Sequence, residues 1–147
     1  MYSALDIAKY IIDYSNRRDT PVSNLQLQKI LYYIQMNFYR RLNKPAFNED
    51  IEAWRYGPVV SSVYNVYCMY GASDICLMYP EVRTIFSGRE SELANWVIRA
   101  CIAVGAWDLV EKSHIKDGPW DKTYKGGLGD KKVIPKEEII AYAVGKR

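Results

Sequence analysis

A single imidazole, His114, limits the side-chain chemistry that this chain of 147 residues can assemble. Acid–base or nucleophilic catalysis of the Ser–His–Asp or Cys–His kind would have to be built around it. Ser113 is its neighbour in sequence, the nearest cysteine is Cys101, and no nucleophile elbow is present. The residue types around it suit a hydrogen-bonded structural imidazole beside the Pro119–Trp120 turn. Gly126, Gly127 and Gly129 could suggest a phosphate cradle, but no Gly-Lys-Ser/Thr follows them and they do not join a strand to a helix. They read as a flexible loop. Carboxylates are numerous, yet none are paired in an apolar setting that would split their pKa values between acid and base roles. Cys68, Cys76 and Cys101 are odd in number, widely spaced and free of any CxxC or Cys/His pattern, so a zinc site is not expected and a reducing cytoplasm is. The expectation is a protein with no catalytic residues, no cofactor and no metal.

Binding is the remaining class. Basic residues cluster at Arg17-Arg18, at Arg40-Arg41 with Lys44, and among Lys122, Lys125, Lys131, Lys132 and Lys136. Gathered on one side, and interleaved with tyrosine, they could contact phosphates and stack bases. Acidic residues neighbour each cluster, and 20 basic against 17 acidic residues leave a net charge of only +3. Solvated helix ends and loops are the favoured account, and nucleic acid is not the expected partner.

The densest concentration of recognition-type residues is Ile51 to Tyr64, where Trp54, Arg55, Tyr56, the Gly57-Pro58 break, Val59 and Tyr64 fall within fourteen positions. Gln28, Lys29 and Tyr32 flank the apolar stripe of an upstream helix. Either they fringe the core, or they hydrogen-bond into the Trp54–Pro58 turn and fix a rigid surface, because a buried indole N–H or phenol seeks a partner. Fold support is the favoured role for Trp54 and a contact role for its exposed neighbours.

These residues must be carried by helices. Ser3 with Asp6 suits a helix start, and Ala4, Ile7, Ala8, Ile11 and Tyr14 recur at helical spacing as far as Asn16–Pro21. Ser23 with Gln26 makes a capping box, after which Leu27, Ile30, Leu31, Ile34, Phe38 and Leu42 trace one stripe. A short β-hairpin or extended segment is expected near residues 46–56, and Pro58 is expected to open a third helix ending at Gly71. Residues 72–88 read as irregular, Ser91 as the cap of a fourth helix ending at Gly105, and 107–114 as a short helix. A loop through Gly118, Pro119 and Trp120 is expected next, and Pro135 opens a last helix. The fold class is mainly α, a compact helical bundle forming a single domain over 1–147; apolar residues at 49% and charged residues at 25% match ordinary globular usage. Asp6, Lys9 and Asp13 interrupt the N-terminal pattern, so neither a signal peptide nor a membrane span is expected.

Three blocks, LQLQKILYY at 25–33, IEAWRYGPVVSSVY at 51–64 and SHIKDGPW at 113–120, resemble in order and spacing the Panacea antitoxin domain. That family includes SocA-type proteolytic adaptors and phage-associated GepA-like proteins. Residues matching the blocks are Leu27, Gln28, Lys29, Tyr32, Trp54, Tyr56, Gly57, Pro58, Val59, Tyr64, His114, Pro119 and Trp120. Ser61, where the family usually has proline nearby, and Ser113, where it has threonine, are departures. The resemblance implies a small, mainly helical protein that neutralises a cognate toxin, either by direct masking or by delivering it to an ATP-driven AAA+ protease. Masking is the first expectation, since it needs one interface. A phage inhibitor of a host defence protein and a nucleic-acid-binding regulator are the alternatives, and no oligomeric state is implied.

Overall fold

The computed structural model describes residues 1–145. Among these, seven α-helices and three short strands follow in the order α1 (Ala4–Arg17), α2 (Asn24–Leu42), β1 (Glu52–Trp54), β2 (Gly57–Val59), α3 (Ser61–Tyr67), α4 (Gly88–Val104), α5 (Ala106–Ser113), α6 (Pro119–Tyr124), β3 (Lys132–Val133) and α7 (Lys136–Gly145). Single 3₁₀ turns at Cys68–Tyr70, Pro80–Val82 and Lys125–Gly127 punctuate the connections. The mainly helical class is as expected.

Both N-terminal caps form as their residue types dictate. Ser3 Oγ accepts from Asp6 N to start α1, and Ser23 and Gln26 close a full capping box on α2. Arg40 and Arg41 complement the carbonyl end of α2, which Asn43 terminates in the left-handed region at φ 56°. α2 is the central helix. It packs against α1, α4, α5 and α7 and is buried almost all round from Leu27 to Tyr39. Ile7, Ile11, Leu27, Ile30, Leu31, Ile34, Phe38 and Phe47 are fully buried in the core this creates.

Two polar groups inside that core lock loops onto it. Gln35 holds Ala46 and Phe47 through both ends of its amide, at 2.8–3.2 Å. Asp13 accepts from Arg83 Nε (2.9 Å), Arg17 Nε (2.8 Å) and Tyr79 N (2.8 Å), pinning the irregular 72–88 connection to α1. Burial alone would raise the Asp13 carboxyl, but those donors outweigh it and hold it down at about 2.

The structure corrects several boundaries. Pro58 does not open a helix: it lies in β2, and α3 begins at Ser61 with Val60 as its cap. Proline is admissible there because it sits on an edge strand, where it need not donate to the ladder. The hairpin lies at 52–59, overlapping the expected 46–56 and extending three residues beyond it, and is joined antiparallel by β3, for which the exposed Lys132-Val133 pair gives no periodic signal. Ser87, not Ser91, precedes α4, whose buried face runs through Ala94, Val97, Ile98 and Cys101 while Ala100 is exposed. Pro119 and Trp120 are not loop residues but the first turn of α6, with Pro119 at the position where a missing N–H costs nothing. No single helix among the described residues is long and apolar enough to cross a membrane.

Candidate binding site

The hairpin of β1 and β2 pairs Trp54 with Gly57, leaving Arg55 and Tyr56 as a two-residue loop. Neither loop residue has positive φ; the left-handed step falls on Gly57 at φ +113°, as in a bulge that closes an ordinary turn. Side chains then fasten this hairpin from the inside. Lys29, fully buried on α2, donates from Nζ to Pro58 O at 3.0 Å. Gln28, also buried, accepts from Val60 N at 2.9 Å and donates to Asn24 Oδ1 at 3.0 Å. Asn24 in turn donates to Tyr64 O at 3.3 Å. Of the two roles open for Gln28 and Lys29 on sequence grounds, the structure thus places both side chains on the turn, while Tyr32 is buried at a separate cavity of about 510 Å³ with Tyr33, Arg40 and Tyr142.

The third block grips the same hairpin from the other direction. Trp120 donates from Nε1 to Trp54 O at 2.7 Å and lies between the His114 ring (3.6 Å, 4° between planes) and the Tyr124 ring (4.5 Å, 17°). Pro119 is also buried. Ser113 Oγ donates to Val110 O at 2.8 Å. Burial pushes the His114 imidazole below its ordinary value, the nearby Lys29 charge adds to this, and Asp121 opposes it.

Burial drives the Lys29 ammonium down to about 7, because a charged group loses water there and gains one carbonyl. The unfolded chain keeps that proton up to about pH 10.4. Between the two values the unfolded state binds more protons, so stability rises with pH. Raising the pH from 7 to 8 is expected to add about 1 kcal/mol in urea unfolding, and Lys29→Met to remove that gain.

The outward side of the hairpin has a different character. Tyr56 and Trp107 are 45% and 62% exposed and meet edge to face at 5.4 Å. Trp54 packs on Tyr64 at 4.7 Å, and Glu52 accepts from both Trp54 Nε1 and Ser61 Oγ at 2.9 Å. Arg55 lies 5.3 Å from the Tyr56 ring centroid and Lys131 5.1 Å from that of Trp54. Between these groups runs a cleft of about 420 Å³, with Gln28, Lys29 and Val59 among its inner residues. Sequence pattern does not single out Trp107 or Glu52, and it marks Lys131 only as one member of a basic run. Trp107 follows the bend at Gly105, and Lys131 reaches Trp54 only because β3 docks on β1, with the Lys131 N–H donating to Ala53 O.

Comparison with known proteins gives a family for the span that carries these blocks. The family model described as "Antitoxin SocA-like, Panacea domain" matches residues 27–121, a span that begins on α2 and ends on α6. The chain is similar to antitoxin SocA of Caulobacter vibrioides, with 32% identity over 139 residues, covering 84% of this chain and 73% of that protein. No solved structure matches.

Proposed function

We propose that this chain, which belongs to the SocA-like, Panacea-domain antitoxin family, binds a cognate toxin protein and neutralises it by direct masking. The observation that carries the reading is the division of labour across one hairpin. Lys29, Gln28 and Trp120 hold its backbone from within, so that Arg55 and Tyr56, with Trp107 beside them, are presented on a framework that need not be ordered on binding. Preorganised aromatic and arginine side chains are the groups that concentrate affinity at protein interfaces. Masking requires no turnover; Ser113 Oγ donates to a main-chain carbonyl, and His114 stacks on Trp120 with its Nε2 buried and lacking a hydrogen-bond partner among the described residues, unlike the hydrogen-bonded imidazole expected from its neighbours.

The partner is expected to be the product of the adjacent open reading frame, toxic when expressed alone and harmless beside this chain. Replacing Arg55 and Tyr56 together by alanine is expected to weaken its binding by about 30-fold or more, equivalent to about 2 kcal/mol, while leaving the thermal midpoint unchanged. Titration calorimetry of the purified pair measures the first and circular dichroism the second. Undiminished affinity in the double variant would assign the interface to another face.

A further inference from the structure

Resting on that reading, we infer that the cleft beside the hairpin receives an apolar side chain of the partner that is flanked by carboxylates. The walls are two aromatic pairs, Trp54 with Tyr64 and Tyr56 with Trp107, and each pair has a cation near one of its rings, Lys131 and Arg55 respectively. On the floor each end of the Gln28 amide makes a bond within the chain and Lys29 donates to Pro58 O, so these groups fasten the hairpin, and most of the contact surface offered to an inserted side chain is that of the aromatic walls. An aliphatic or aromatic side chain suits such walls, and a volume of about 420 Å³ accommodates one with its neighbours' stems.

The rim selects the charge. Arg55 and Lys131 form no ion pair among the described residues, whereas Glu52, the nearest strand carboxylate, is occupied by Trp54 and Ser61. Asp130 is a lone acid against these two cations at the lining. Two unpaired cations around an apolar slot complement a segment carrying carboxylates on either side of its anchor. A phosphate backbone would satisfy the same cations, but it calls for a continuous basic face, and a net charge of +3 with acids interspersed does not provide one.

The four tryptophan indole N–H signals make the test direct, since Trp54 and Trp107 line the cleft whereas Trp96 and Trp120 do not. The probe is a blocked tetrapeptide, Asp-Leu-Phe-Asp, titrated into the ¹⁵N-labelled chain, with Lys-Leu-Phe-Lys as its counterpart. The acidic peptide is expected to shift the Trp54 and Trp107 signals and leave Trp96 in place. Lys131→Glu is expected to weaken that response about tenfold, with unmoved Trp96 and Trp120 signals certifying the fold. Equal response to the basic peptide, no response at millimolar peptide, or tighter binding of oligodeoxythymidine at the same two indoles would overturn the inference. Growth rescue in cells separates it from the masking reading. A Lys131→Glu chain that still rescues fully from the toxin removes the cleft from the interface, whereas failure of the wild-type chain to rescue removes the antitoxin assignment and leaves peptide binding standing.

Discussion

Gly57→Ala is expected to lower stability by about 3 kcal/mol and the thermal midpoint by roughly 10 °C. Two costs coincide at this position. The backbone sits at φ +113°, which a side-chain-bearing residue adopts only under strain. A methyl group there would also stand 2.5 Å from Lys29 Cε and 2.7 Å from Ser113 Oγ, both on buried side chains tethered by hydrogen bonds to Pro58 O and Val110 O. Gly126 separates the two effects: it too has positive φ, at +65°, but nothing lies within 4 Å of the point an added methyl would occupy, so Gly126→Ala should cost only about 1 kcal/mol. Urea unfolding of the two variants side by side gives the comparison. Equal losses would mean that the close approach of Lys29 and Ser113 to the hairpin is not a constraint.

Trp120→Ala is the second large effect, at about 3–5 kcal/mol, because it empties a slot between two stacked rings and strips Trp54 O of its donor. Trp120→Phe keeps most of the apolar fill and should recover all but about 1–2 kcal/mol, the share of the lost hydrogen bond. If phenylalanine proved as damaging as alanine, the indole N–H and not the stack would be what matters. Either variant should also loosen the Arg55–Tyr56 loop, observable as faster amide exchange there than in α1.

The helical framework is legible in the sequence wherever one face is buried and a cap marks the start. The Ser23–Gln26 capping box and the stripe through Leu27, Ile30, Leu31 and Ile34 locate α2 without help from tertiary context. Local pattern misleads where tertiary contacts overrule it. Pro58 has the backbone of a helix opener, yet the carbonyl it offers to Lys29 and its register opposite Ala53 keep it in a strand. Lys29 is the least expected core residue, since lysine is seldom fully buried; the carbonyl of an edge proline and the ease with which burial strips its proton make it tolerable. The candidate site divides the same way. Arg55, Tyr56 and Trp54 are conspicuous by type and proximity, while Trp107 and Lys131, the latter marked only as part of a basic run, join them through a helix elbow and a strand register that no local pattern encodes.

The outer margin of β2 is silent. Pro58 carries no N–H, its carbonyl is taken by Lys29, and the amide of Val60 just beyond the strand is taken by Gln28, while Gly57 and Val59 are paired with β1. A foreign strand laid along this margin would find neither donor nor acceptor awaiting it, so this edge of the sheet is closed to backbone pairing, unlike the exposed outer edge of β3. On the hairpin side, a partner would have to be read by side chains. If the proposed interface holds, exchanging the two loop-tip residues changes which protein is bound without reopening the seam that keeps the hairpin shut.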